Sequence, residues 1–410
     1  MTTPAPSSPS RRQFLHDSAV IGAAGLLAPN LLSAQSRPAP SSRKIRMAVV
    51  GGGFGSSFQW HEHPNCIVEA VSDLIPERRA KLKQVYKCDK AYDSLEQLIL
   101  DRNVEAVGVF TGAPDHVRHA VACLKAGKHV ISAVPACMTL EEAGVLLATV
   151  KKTGLSYMMA ETSWYHPTVI LARQWFREGR FGEIFSTEAE YHHTGLEELF
   201  FDANRQRTWR YGFPPMHYPT HCTGYLVGVT GERLTRVSCT GWGDDSKFLK
   251  NNAYKNPFWN ETAFFVTDQG HNFRVAVYWN TPTGGTERGE WIGSKLSLFD
   301  PHPNGAKATV GELTAAQEKD DGGFIRTKVA LRQPPIPEYW KTDLLPEALR
   351  HPSGHANSHT FLTHEFIDAL VTNRRPAVNI HEALALTVPG IVAHQSALKG
   401  GEQLKIPQFG

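Results

Sequence analysis

His217 and His221, in the run Met216-His217-Tyr218-Pro219-Thr220-His221, stand four residues apart at what reads as the start of a helix. One helical turn sets positions i and i+4 on the same face, so both rings can reach one substrate. Imidazole titrates near neutrality, and either ring can exchange a proton with a hydroxyl or an activated C–H. Pro219 near the first helical position removes no internal hydrogen bond. Upstream, Tyr191-His192-His193 and Trp209-Arg210 add a phenol, two more imidazoles and a guanidinium. Successive strand residues face opposite sides, so at most one of His192 and His193 can matter; the candidate is His193, on the side of Tyr191. Glu161 follows a short apolar run and supplies a carboxylate for orientation or base work. His217, His221 and His193 would also offer three nitrogens to zinc. No H-E-x-x-H glutamate accompanies them, and no metal is expected. His355, His359 and His364 sit at or before a helix expected from Thr360 and read as caps and solvated positions.

Behind these side chains the chain must supply elements that position them, and the clearest is residues 44–73. An apolar run ending in Val49-Val50 reads as a buried parallel strand. Gly51, Gly53 and Ser56 then follow at the spacing G-x-G-x-x-small, with Phe54 and Gly55 between them. The first glycine permits a tight turn, the second lets backbone approach a pyrophosphate, and the third small residue lets a following helix pack on the strand. Asp73 lies 22 residues after Gly51, where a carboxylate accepts ribose hydroxyls. No arginine directly follows it; Arg78 and Arg79 fall in the next helix, which favours NAD over NADP.

Helices are expected over 76–86, 95–101 and 117–126, and strands over 104–110, 128–131 and 157–160. The strand at 104–110 is followed by Thr111-Gly112-Ala113-Pro114-Asp115-His116. Loops at the carboxyl ends of strands hold the ligand in a doubly wound sheet, so Thr111, Ala113, Pro114 and His116 are candidate cofactor contacts. Lys128 at a strand start reads as surface. Thr139 caps a helix over 140–152, with Glu141 and Glu142 in its first turn. A helix over 167–179 opens the second half, and strand patterns recur at 185–191, 236–240, 263–267, 273–279, 288–292 and 296–299. Helices return at 360–371 and 381–398. The expected fold class is α/β: a Rossmann doubly wound parallel sheet over 44–165, then an α+β domain over 166–410 with an open, mostly antiparallel sheet.

The segments VVGGGFGSSF, TGAPDH, AGKHVISAVP and FGEI resemble the Gfo/Idh/MocA family of nicotinamide-dependent sugar oxidoreductases, over essentially all of the chain after its leader. In that family the AGKHV strand ends in Glu-Lys-Pro, and the lysine assists proton transfer. Here the triplet is Ala133-Val134-Pro135, and valine has no proton to move. Val-Pro is similar to glycoside hydrolase family 109, whose members carry Glu-Val-Pro. Met158-Met159-Ala160-Glu161 resembles that branch's MMLE, with Thr162 where the branch has Asn. The resemblance implies cofactor contacts from Ala133, Val134, Pro135, Glu161 and Thr162. It implies a sugar site from Tyr191, Arg210, Tyr218, Pro219, Thr220 and His221, with His221, His217, Tyr191 and His193 as the catalytic candidates. It implies a sheet that covers the nicotinamide, and homo-oligomers through its open face. The implied reaction is a redox-neutral glycoside cleavage with bound NAD. The alternatives are an exported sugar oxidoreductase that recycles bound NAD(P), and a non-catalytic sugar- or NAD-binding protein.

The first 34 residues read as a leader: Ser10-Arg11-Arg12-Gln13-Phe14-Leu15 is a twin-arginine signature, an apolar stretch follows, and Ser33-Ala34 offers a cleavage site. Pro29 and Asn30 interrupt that stretch, so no membrane insertion is expected. Residues 35–43, rich in Ser and Pro, read as a linker. Export to the periplasm or cell envelope is expected, where no nicotinamide pool exists and the cofactor must be held tightly. A net charge of +3 points away from nucleic acid. The six cysteines form no CxxC pair, so structural zinc is not expected and free buried thiols are.

Overall fold

Strand β1 (Ile45–Val50) is buried along almost its whole length, as an apolar run with no polar alternation requires of a strand covered on both faces. It lies inside a six-stranded sheet with β2 (Cys66–Ser72), β3 (Ala91–Tyr92), β4 (Ala106–Val109), β5 (His129–Ser132) and β6 (Tyr157–Met159), in the order β3-β2-β1-β4-β5-β6. Every neighbouring pair is parallel. The order reverses between β1 and β4, and at such a switch point the loops diverge and leave a crevice. The computed structural model describes residues 42–283 and 286–409. The twin-arginine leader and nearly all of the linker lie outside the described residues.

No α-helix follows the glycine turn, contrary to the expected strand–turn–helix. Two short 3-10 turns, Phe54–Ser57 and Trp60–Glu62, lead directly to β2. Glycines carry a high entropy cost in a helix, and the Ser56 and Ser57 hydroxyls donate back to the carbonyls of Gly53 (2.9 Å) and Phe54 (2.6 Å), favouring a tight turn instead. Regular crossover helices come later: α1 (Pro76–Tyr86), α2 (His116–Lys125) and α3 (Leu140–Thr153), the last capped by the Thr139 side chain accepting from Glu142 N. Lys128 is a second correction. It is 7% exposed, and its amine donates to the carbonyls of Asp101 (2.8 Å) and Val104 (2.7 Å) rather than to water.

After α4 (Pro167–Arg177), a nine-stranded sheet forms in the order β14-β13-β12-β11-β7-β10-β9-β8-β15. Its strands are β7 (Ile184–His192), β8 (Leu234–Trp242), β9 (Asn260–Thr267), β10 (Asn272–Tyr278), β11 (Thr286–Gly293), β12 (Leu296–Phe299), β13 (Thr309–Lys319), β14 (Ile325–Arg332) and β15 (Leu404–Lys405). Only β7 and β10 pair in parallel. The β13–β14 hairpin was not expected from sequence, because its residues are mostly exposed, apolar ones such as Ile325 and Leu331 among them, and show no core-facing alternation.

Helix α5 (Thr220–Thr230) is apolar nearly all round and buried from Thr220 to Val229, and it packs against β7 and the turn Ser163–Tyr165. Gly228 lets it approach, since a Cβ there would lie 3.1 Å from the Trp164 ring. Helices α6 (Gly354–Val371) and α7 (Ile380–Leu398) close the chain. Leu362, Phe366 and Ile367 of α6 share one apolar cluster with Ile45, Met47 and Val49 of β1, so the chain's end returns to its first sheet. Among the described residues no helix is long and apolar enough to cross a membrane. All six cysteines are free and buried.

Candidate active site

The crevice at the switch point is lined first by the glycine turn. Gly51 has φ +100° and a Cβ there would meet the Phe110 carbonyl at 2.3 Å, so only glycine fits. Nothing lies within 4 Å of a Cβ built on Gly53, which leaves its backbone open to an approaching diphosphate. The close-packed small residue is Gly55, not Ser56: a Cβ at Gly55 would stand 2.8 Å from the Phe110 ring. Phe54 is wedged edge-on against Phe58, Phe110, His355 and His359. Asp73 accepts from Gly52 N (2.6 Å) and Ile75 N (2.8 Å), and each oxygen keeps a lone pair for a ribose hydroxyl. Arg79 donates to the Asp73 carbonyl (2.6 Å) and pairs with Asp93 (2.8 Å), so it is not held out for a 2′-phosphate. These residues fit a nicotinamide dinucleotide.

On the other wall, Thr111 bonds His119 (2.9 Å), Ala113 is buried and Pro114 is exposed. His116 does not face a ligand. It is 1% exposed and its nitrogens lie against the carbonyls of Thr111 (3.0 Å) and Pro135 (2.8 Å), tying the loops after β4 and β5 together. Ala133 and Val134 are buried at the end of β5, before a cis Val134–Pro135 peptide. Trp209 roofs the β4 loop, for a Cβ on Gly112 would meet its indole at 2.7 Å.

His221, in the first turn of α5, sits among the buried carboxylates at this end of the first sheet. Its Nδ1 lies 2.9 Å from Glu161 Oε1 and 3.8 Å from Glu287 Oε2, with side-chain exposures of 6% for the ring and 0% for Glu161. Ser163 links the two acids: its N–H donates to Glu161 (2.8 Å) and its hydroxyl to Glu287 (2.8 Å). Burial alone would lower the pKa of His221, but the two carboxylates more than reverse this and raise it to about 10. Every hydrogen bond of this ring among the described residues runs through Nδ1, which leaves Nε2 for a substrate. Tyr191 and Tyr218 stand at 4.7 and 5.2 Å from the imidazole, ring centre to ring centre. Burial and the Tyr218 hydroxyl push the Tyr191 phenol well above its ordinary range, so it is a donor. His193 and Trp279 flank Tyr191 at 6.0 and 5.8 Å, and Arg210 lies over Trp209 (4.2 Å) and Tyr218 (5.9 Å). Burial keeps His193 neutral.

Residues 45–161 match the oxidoreductase family with an NAD-binding Rossmann fold, Gfo/Idh/MocA. The chain is 25% identical to a "Glycosyl hydrolase family 109 protein" of Solibacter usitatus (strain Ellin6076), over 98% of this chain and 97% of that one. It is also 24% identical, over 41% of its length and 45% of the relative's, to levoglucosan dehydrogenase of Pseudarthrobacter phenanthrenivorans. Among solved structures, levoglucosan dehydrogenase with NADH and levoglucosan superposes with a TM-score of 0.69 at 17% identity, covering 90% of this chain and 100% of that one. At that identity the likeness shows the fold alone. Residues 45–161 therefore match that family's NAD-binding domain, and the chain resembles family 109 proteins over nearly its whole length.

Several expected members of the site lie elsewhere. His217 does not share a face with His221, because it belongs to the 3-10 turn Pro215–His217 and Tyr218 (φ −122°, ψ 48°) breaks the helical register between them. Its ring packs against His394 (5.2 Å) and is held down to about 3 by burial and by that neighbour, so it is neutral and away from the cleft. Thr220 is fully buried and Pro219 packs against Gly390, so neither faces substrate. Thr162 is buried with its hydroxyl 3.4 Å from His221 Nδ1 rather than turned to the cofactor. His192 stacks on Tyr278 (4.7 Å) on the opposite sheet face. His359 is a buried bond to the Ser57 carbonyl (3.0 Å), not a solvated position, and His364 pairs with His63 (3.0 Å). His355 is exposed in a left-handed turn (φ 48°), against Phe54. Among the described residues no group of three ligands is placed to hold a metal. Sequence reading missed Glu287, His166 and Trp279. The available signal was an acid at an inward-facing strand position, two residues from Gly289 and four from the buried Trp291.

Proposed function

We propose that this protein is a redox-neutral glycosidase that transiently oxidises a sugar ring carbon, eliminates the C1 substituent, adds water and re-reduces the ring. Held by the glycine turn and Asp73, a tightly bound nicotinamide would supply hydride storage and return. The observation that carries this reading is the His221–Glu161 pair beside Tyr191 and Tyr218, at the end of a crevice where Val134 stands in place of a proton-carrying lysine. Tyr191 and Tyr218, backed edge-on by the buried Trp279, offer apolar faces to a sugar ring, and Arg210 offers donors to its hydroxyls. The transient ketone acidifies the neighbouring C2–H, whose proton passes to a neutral base, for which His193 is the candidate, as protonated His221 gives its Nε2 proton to the departing C1 oxygen. When water adds, its hydroxide goes to C1, its proton to His221, and the base returns a proton to C2, while Nδ1–H stays with Glu161.

The test is purified protein, without added cofactor, on a panel of aryl glycosides in D2O, followed by aglycone release and the mass of the sugar. Release with one deuterium on a ring carbon is expected, and nucleotide should appear on denaturing the protein. Cleavage at full rate after the nucleotide is stripped would sink the proposal. The likeness to levoglucosan dehydrogenase favours a second reading, a sugar oxidoreductase that recycles its cofactor; interconversion of free sugars with no glycoside cleavage would select it.

A homo-oligomer through the outer face of the nine-stranded sheet belongs to the same proposal. That face carries interleaved opposite charges, with Arg274 bonded to Glu188 (2.7 Å) and Glu190 (2.8 Å), beside the exposed rings of Phe264 (61%) and Trp242 (55%). Light scattering should give a multiple of the chain mass, and Phe264→Asp should reduce it; a wild-type monomer at micromolar concentration would rule the interface out.

A further inference from the structure

Strand β11 sends Glu287, Gly289 and Trp291 inward, and its pairing with β7 sets Glu287 directly opposite Tyr191. Trp291 is fully buried and Gly289 lies under the Tyr225 ring, so Glu287 is the charged side chain this strand directs at the site. It is held at both ends. Tyr225 donates its hydroxyl hydrogen to the Glu287 carbonyl (2.9 Å), and Ser163 donates to the carboxylate (2.8 Å). His166 also approaches, with Nδ1 3.1 Å from the Tyr225 oxygen and Nε2 3.4 Å from Glu287 Oε2. Because the Tyr225 hydrogen is already directed at Glu287, Nδ1 of His166 must be the donor there. Burial lowers the pKa of His166. Burial also works against ionisation of Glu287, yet His221, 3.8 Å away, and after it His166 hold that carboxyl below its ordinary range.

We propose that Glu287 is a positioning residue for His221: with Glu161 it keeps a proton on Nδ1, so that the ring presents Nε2–H to the cleft as the exchangeable acid. When Nε2 gives its proton to a substrate oxygen, the ring becomes neutral and retains Nδ1–H against the two acids; protonation from water restores the imidazolium. Two carboxylates make this return favourable, where one alone leaves the neutral ring more populated. The titratable groups around the ring are Glu161 after β6, His166 at the start of α4, Tyr191 and His193 from β7, Tyr218 before α5, and His355 from the left-handed turn of α6. Among these, Glu161 is the one other anion, so the charge of His221 depends on two acids from separate sheets.

The inference rests on the proposed function for its role in turnover, but its first readout needs no substrate. In the full chain with labelled histidines, nuclear magnetic resonance should show the His221 midpoint falling by roughly one to two pH units in Glu287→Gln, the range expected for loss of a nearby opposite charge. Glu287→Asp, which keeps the charge one methylene farther away, should titrate between the two. On a cleaved glycoside, the alkaline limb of kcat/KM should move down with the midpoint, and KM should change little. An unmoved midpoint in both variants overturns the proposal, even if activity falls, since that pattern marks a merely structural role. A Glu287→Gln protein that does not fold leaves Glu287→Asp to decide, by the same midpoint. Should the wild type cleave no glycoside, the titration still decides the role of Glu287 while the glycosidase reading fails separately.

Discussion

Replacing His221 with asparagine is expected to lower kcat/KM on a good aryl glycoside by about 10³-fold, the middle of the range for a positioned acid–base group. The ring is the one place where the site joins a proton reservoir to the cleft: Nδ1 is bound to Glu161 at 2.9 Å, and Tyr191 lies 4.7 Å from the ring. Asparagine preserves polarity and much of the volume but carries no exchangeable charge. Nucleotide content should stay near the wild-type level, because the glycine turn and Asp73 belong to β1, β2 and their loops and make none of the bonds that hold His221. A loss smaller than tenfold with full nucleotide would remove His221 from the chemistry. His217→Asn is the matched control, since that ring faces His394 rather than the cleft, and it should leave the same rate within a few-fold.

The second large effect concerns stability. Glu161→Ala is expected to destabilise the fold by about 3–5 kcal/mol, the usual cost of removing one partner from a buried ion pair. Glu161 is wholly buried and the His221 side chain is 6% exposed, so water cannot replace the lost carboxylate. The pH dependence has a definite sign. His221 is raised from 6.5 to about 10 in the folded protein, so its pairing stabilises the fold fully below pH 6.5 and is lost as pH rises through about 10. Glu161 is held below its ordinary value, against burial, chiefly by His221, and its share is lost as acid protonates it. Thermal denaturation from pH 6 to 10 should therefore show a steep alkaline fall in the wild type and a shallower one from a lower starting point in Glu161→Ala. Parallel curves for the two proteins would mean that the pair does not set the alkaline stability.

The residues that organise the cofactor half were legible because their signals are local. A glycine at φ +100° with a carbonyl 2.3 Å from its missing Cβ, and an acid that accepts from the next residue's N–H, recur wherever a strand turns sharply toward a diphosphate. The valine in place of the proton-carrying lysine was legible for the same reason, since Val134 is read directly from its neighbours. The β13–β14 hairpin and the absence of a helix after the glycine turn were not. In the first, both faces of the hairpin are largely exposed, so no alternation marks a core-facing side; in the second, serine hydroxyls compete for the backbone groups a helix would use.

By itself the sequence determined the parallel Rossmann sheet and the second, mostly antiparallel sheet, and it offered His221, Tyr191 and Arg210 as candidates. Only the tertiary structure decided which charges meet. Spacing of four residues suggested that His217 and His221 act together, yet Tyr218 breaks the helical register between them, and one ring packs on His394 while the other pairs with Glu161. The partners of His221 come instead from the end of β6 and from β11, because the β7–β11 register places Glu287 opposite Tyr191. The physical reason is burial. A charge excluded from water is governed by whichever groups the packed sheets bring within a few ångströms, and sequence distance carries no information about that.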